Sequence, residues 1–191
     1  MNVYILLAHP EKQSFNGQIA NEYENAARLA GHVVRRQNLG DMDFDPILWK
    51  GYAVVQELEP DLKMAQSNIL WCNHWVIIYP VWWGSVPALL KGFFDRTLLP
   101  GFAFRHHTKG SLWDKLLKGR SAHLITTSDA PWWWLYFSYR NSDLNTVKRA
   151  IFYYCGITPV THTRVGRVRF LDEDMRRQKI SKLLKNINSM I

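Results

Sequence analysis

Apolar and β-branched residues gather into five short runs along the chain, near Val3–Ala8, Val33–Asn38, Trp75–Tyr79, Ala122–Thr127 and Thr158–Thr163. Runs of this length bounded by turn-forming residues predict strands. Between them, apolar positions recur at helical spacing. Residues 15–30 place Ile19, Tyr23, Ala26, Ala27 and Ala30 on one stripe, and Gly31 follows where a helix C-cap belongs. Residues 60–72 carry Leu62, Ala65, Ile69 and Leu70. Residues 87–98 are amphipathic behind Pro87, which suits a helix's first turn because its missing N–H is not needed there. Residues 143–155 carry Leu144, Val147, Ile151 and Tyr154 before Gly156. A last helical segment opens on Asp172-Glu173-Asp174 and turns rich in Lys and Arg, an order that complements the helix dipole. Residues 102–119 read as a long loop with a short helix at Leu112–Leu117.

Strand–helix alternation repeated five times predicts an α/β protein, a parallel sheet with helices on both faces. Right-handed crossovers leave few topologies. Five strands with one reversal give the flavodoxin-like three-layer sandwich of order 2-1-3-4-5, with its ligand site at the carboxyl ends of strands 1, 3 and 4. No linker interrupts the pattern, so residues 1–191 are expected to form a single domain.

The three loops at that switch point differ in chemistry. After strand 1, His9-Pro10-Glu11-Lys12-Gln13-Ser14-Phe15-Asn16-Gly17 leads into a helix N-terminus, where free N–H groups and the dipole favour phosphate. Ser14 and Asn16 add donors, and His9 adds a positive or donor edge. Ser14 reads equally well as a plain N-cap. After strand 3, Pro80-Val81-Trp82-Trp83-Gly84 offers flat apolar walls. After strand 4, Thr126-Thr127-Ser128-Asp129 is small, polar and suited to the edge of a heterocycle. Together these loops describe a flavin site.

Composition narrows the picture. Hydrophobic residues make up 47 % of the 191 and charged ones 21 %, a folded rather than disordered balance. Nine tryptophans exceed what core packing asks for, and those at Trp82, Trp83 and Trp132–Trp134 fall in predicted loops, where they would stack on a ligand or form a contact surface. The net charge of +8 is scattered rather than blocked, which argues against a nucleic-acid partner and favours attraction of anionic cofactors. Cys72 and Cys155 lack the spacing of a disulfide framework or a zinc site, so no metal is expected. The N-terminus has no basic export signal and no window reaches a membrane span, so a cytoplasmic location is expected.

His9-Pro10, then Ser14-Phe15-Asn16, then Pro80-Val81-Trp82-Trp83-Gly84-Ser85-Val86-Pro87-Ala88-Leu89-Leu90-Lys91-Gly92-Phe93-Phe94-Asp95-Arg96, then Gly101-Phe102-Ala103-Phe104, resembles the NAD(P)H:quinone oxidoreductase family from residue 1 to about 165. The resemblance implies a homodimer with active sites at the interface, a flavin (FMN or FAD), NAD(P)H as co-substrate and a quinone-like acceptor. It implies His9, Ser14, Phe15 and Asn16 at the flavin phosphates, Pro80, Val81, Trp82, Trp83 and Gly84 along the isoalloxazine, and Thr126 and Thr127 opening the loop that reads its edge. Two departures stand out. Ser128-Asp129 replaces the glycine pair common in the family, so two side chains are expected to crowd the ring. The family's Tyr and His further along that loop have no His counterpart here; Trp134 and Arg140 fall at similar spacing, with Tyr136 and Tyr139 nearby. Arg140 and Tyr136 are therefore the candidate catalytic residues, Arg140 to stabilise charge near flavin N1. The family also contains ancillary subunits of potassium efflux systems, so a regulatory subunit that binds a membrane transporter is the alternative reading.

Overall fold

The computed structural model describes residues 1–185; positions 186–191, onto which the last helical segment was expected to continue, lie outside the described residues. Five strands form one parallel sheet: β1 (Asn2–Leu7), β2 (Val33–Asn38), β3 (His74–Pro80), β6 (Ser121–Thr127) and β7 (Val160–Val165), in the order β2-β1-β3-β6-β7. This is the expected 2-1-3-4-5 order, renumbered by two extra short strands. The last strand begins two residues later than expected, after Thr158-Pro159.

Alternation within each strand explains the layers. Val3, Ile5 and Leu7 pack with Ile19, Tyr23, Ile180 and Leu183 of α1 (Phe15–Leu29) and α6 (Glu173–Leu184). Tyr4, Leu6 and Ala8 face the other way, against α2 (Pro60–Trp71) and α3 (Ala88–Thr97) and the helical segment that holds Val147 and Phe152. A strand buried on both faces reads as a continuous apolar run, and β3 is buried at every position. Trp75 anchors the second core, stacked between Tyr4 and Phe152 at centroid distances of 5.7 and 5.0 Å.

Two expectations fail. Residues 102–119 hold an antiparallel hairpin, β4 (Phe104–His106) with β5 (Trp113–Lys115), and not a helix at Leu112–Leu117. Tertiary packing decides this: Trp113 stacks on Tyr154 at 4.5 Å and donates its indole N–H to the Tyr154 carbonyl. The Trp132–Trp134 stretch is not a loop but the start of α4 (Trp132–Phe137), which follows Pro131. The helix expected at 143–155 begins as α5 (Ser142–Asn145) and continues as a wider π-helical stretch over Thr146–Tyr153.

Arg96, near the end of α3, is fully buried. Its guanidinium pairs with Glu59 at 2.9 Å and donates to the carbonyls of Asp45 and Glu57. One side chain thus ties the irregular segment before α2 to the second core.

Candidate functional site

A cavity of about 410 Å³ opens at the carboxyl edge of the sheet, where the strand order reverses between β1 and β3. His9, Ser14, Phe15 and Asn16 line it from the β1 loop, and Pro80, Val81, Trp82, Trp83 and Gly84 from β3 and its turn. Thr127, Ser128 and Asp129 close it from the end of β6. Of the residues expected to bind the flavin, Thr126 alone is missing. It is buried with its hydroxyl against His162 Nε2 at 3.0 Å, because neighbouring residues of a strand point to opposite faces. Ala130, Leu135, Tyr139 and Val168 also line the cavity. Val168 comes from the chain after β7, a loop that sequence reasoning left out.

The phosphate-type corner is built from close backbone approaches. Ser14 caps α1, its hydroxyl accepting from the Gly17 N–H at 3.3 Å. A Cβ on Gly17 would sit 1.8 Å from the Lys12 carbonyl oxygen, so only glycine lets the loop pass there. Asn16 is buried and exchanges two hydrogen bonds with Thr127, donating to its Oγ1 at 2.9 Å and accepting from it at 3.2 Å. The Asn16 amide therefore ties the start of α1 to the end of β6. His9 Nδ1 accepts from the Glu11 N–H at 2.9 Å. Burial lowers its pKa, so the ring is neutral near pH 7 with Nε2–H as a donor.

The tryptophan segment is a strained turn. Trp82 and Ser85 exchange backbone hydrogen bonds of 3.1 and 2.9 Å, and between them Trp83 and Gly84 both have positive φ, 53° and 68°. That is the pattern of a type I′ turn, in which both central residues take left-handed conformations. Glycine adopts this freely; tryptophan does not, at a cost of roughly 1–3 kcal/mol. The turn is held from outside: the Ser142 hydroxyl donates to the Gly84 carbonyl, and the Tyr139 ring lies where a Cβ on Gly84 would fall. The result is a Trp83 side chain that is 100 % exposed beside the cavity, while Trp82 packs edge-on against His9 at 5.6 Å.

The loop after β6 is braced by the chain after β7. Ser128 N–H donates to Val165 and Val168 N–H to Ser128. The Ser128 hydroxyl turns onto the Ala130 carbonyl, and the Asp129 carboxylate accepts from the Arg169 N–H at 2.8 Å. Both side chains line the cavity, with the Ser128 hydroxyl and one Asp129 oxygen turned onto neighbouring backbone. Nearby, Asp143 is buried against Arg164 at 2.8 Å, and burial raises its pKa against the pull of that arginine.

A family model described as the flavodoxin-like fold matches residues 1–191. A Haemophilus influenzae protein named as an uncharacterized NAD(P)H oxidoreductase is 30 % identical over 187 residues, 94 % of this chain and 91 % of that protein. The chain belongs to the flavodoxin-like NAD(P)H:quinone oxidoreductase family. A ribosyldihydronicotinamide dehydrogenase [quinone] from Pongo abelii is 31 % identical over 146 residues, 66 % of this chain and 62 % of that one. The crystal structure of a Streptococcus mutans protein superposes with a TM-score of 0.83 at 27 % identity, covering 99 % of this chain and 100 % of the other.

Within this family frame, the candidate catalytic residues stand apart from the cavity. Arg140 and Tyr136 line a separate hollow, and Tyr139 faces the first cavity instead. A run of spaced aromatics could not reveal that α4 would turn Leu135 inward and Tyr136 outward. Among the described residues no helix is long and apolar enough to cross a membrane.

Proposed function

We propose that the protein is a flavin-dependent NAD(P)H oxidoreductase that reduces quinones or related acceptors, with FMN or FAD held in the cavity at the β1/β3 switch point. The observation that carries this reading is the convergence of three unlike walls on one cavity: the start of α1, the Trp82–Gly84 turn and the Thr127–Asp129 loop. The residues present fit such a group. The α1 N-terminus and the neutral His9 offer donors to phosphate. Trp82 offers an aromatic face, and the backbone of the Thr127–Asp129 loop offers polar groups at the edge. The cavity falls within the 300–1,000 Å³ range typical of ligand sites. When bound, the flavin supplies the redox chemistry, accepting a hydride from NAD(P)H and passing two electrons to the acceptor; the protein binds, orients and excludes water.

A homodimer with the site at its interface is part of the proposal. It is supported by the exposure of Trp83 on the cavity and of Trp132, Trp133 and Trp134 on the helix whose Leu135 lines it. So large an aromatic surface normally marks a contact. The activity is tested by anaerobic mixing of the flavin-loaded protein with NADH or NADPH, followed by a quinone. Bleaching of the flavin by the dinucleotide and its return with the quinone are expected. Flavin that stays oxidised with both dinucleotides contradicts the proposal.

A further inference from the structure

Helix α4 and the turn after it separate two cavities. Leu135 and Tyr139 face the first; Tyr136, Phe137 and Arg140 face the second, a hollow of about 490 Å³ completed by Asn141, Asn145 and Arg149. Its lining contains two arginines, two carboxamides, two aromatic rings and no carboxylate. The buried Arg96 is neutralised by Glu59, and the half-buried Arg164 by Asp143. Arg140 and Arg149 are exposed, and neither guanidinium has a hydrogen-bond or ion-pair partner among the described residues.

The backbone that presents Arg140 is fixed. Arg140 and Asn141 take consecutive left-handed conformations, φ 53° and 50°. They are held by the Asn141 N–H on Leu135, the Ser142 N–H on Tyr139 and the Asn145 amide on the Arg140 carbonyl at 2.7 Å. Two guanidiniums are suited to a phosphate dianion, which they grip with paired, charge-assisted hydrogen bonds. Tyr136 and Phe137 offer rings on which a purine can stack. Tyr139 and Arg140, consecutive in the chain, line the first and the second cavity in turn, so the two hollows flank one wall.

We propose that this second hollow takes the phosphorylated adenosine end of NADPH, with Arg140 and Arg149 on the 2′-phosphate, so that the protein selects NADPH over NADH. The inference rests on the flavin-site reading above and adds to it the choice of dinucleotide. Arg140 is then a specificity residue and not a group acting on the flavin.

The test is calorimetric titration of the purified protein with 2′,5′-ADP and, separately, with 5′-AMP. The expected result is that 2′,5′-ADP binds at least about tenfold tighter, the scale of one charge-assisted contact. The R140A/R149A pair is expected to lose that margin, and the R140Q/R149Q pair, which keeps side-chain length without charge, to lose it too. In flavin-loaded protein the ratio of kcat/KM for NADPH over NADH should fall by a similar factor in both. Equal binding of the two nucleotides to the unaltered protein overturns the inference, as does a margin that survives both double substitutions. The nucleotide titration needs no flavin, so a protein that binds no flavin sinks the functional reading separately. Flavin uptake without a 2′-phosphate margin sinks this inference alone.

Discussion

Trp83 condenses the site into one residue. It sits in a conformation that tryptophan avoids, fully exposed, beside a cavity of mixed apolar and polar walls. Strain of this kind persists where surrounding structure over-determines it, and it concentrates at functional sites. Replacing Trp83 with Ala should weaken flavin retention by roughly two- to tenfold, the scale of one aromatic contact, as read by flavin fluorescence titration. Unchanged affinity removes Trp83 from the ring site. Gly17 is the complementary case. Gly17→Ala places a methyl carbon 1.8 Å from the Lys12 carbonyl oxygen, a clash with backbone that cannot swing aside. It should cost about 1–3 kcal/mol in urea unfolding and weaken flavin uptake, since the same loop carries His9 and Ser14. A variant as stable as the parent contradicts this account of the corner. These residues show how far sequence could see. His9, Ser14, Trp82 and Trp83 were legible because loop chemistry follows strand order. Thr126 was misplaced because its side depends on strand alternation at one exact register, and Arg140 because the turn after α4 depends on its contacts with Leu135 and Tyr139.

At the scale of elements, the five main strands and the principal helices were legible because each carries its own apolar period. The hairpin of β4 and β5 was not. Its strands are three residues each, too short for a period, and Trp113 takes its place by packing on Tyr154. The role of Arg96 was equally hidden, since an arginine at the end of an amphipathic helix reads as solvent-facing. It is instead fully buried and holds Asp45, Glu57 and Glu59. Arg96→Ala leaves these acceptors without their donor and should cost about 3–5 kcal/mol, the penalty of breaking a buried ion pair, measured by urea unfolding. A loss below about 1 kcal/mol contradicts the assigned role.

At the scale of the molecule, the sheet stores an acid sensitivity. His74 and His123 are fully buried, and burial lowers their pKa values to about 4 and about 3. A folded-state pKa below the unfolded value of about 6.5 means the unfolded chain takes up protons first as pH falls. The stability these neutral rings contribute is complete above about pH 6.5 and is lost as pH drops toward 4. Burial lowers His162 to about 4 as well, and three such groups give a slope of up to about 4 kcal/mol per pH unit in that window. Urea midpoints measured from pH 8 to 4.5 should be flat above 7 and fall steeply below 6, and replacing His74 and His123 by Gln should reduce the fall. A midpoint indifferent to pH across that window contradicts it. Cys72 and Cys155 do not enter this balance, because burial pushes both thiols up to about 12.

The central claim is that three loops at the β1/β3 switch point make a flavin cavity. Its most direct measurement is the visible spectrum of the purified protein after incubation with FMN or FAD and removal of free flavin by gel filtration. The account predicts that one of the two stays with the protein in near-stoichiometric amount, with a spectrum shifted from that of free flavin, and that Trp83→Ala retains less. A protein that elutes colourless after exposure to both contradicts it.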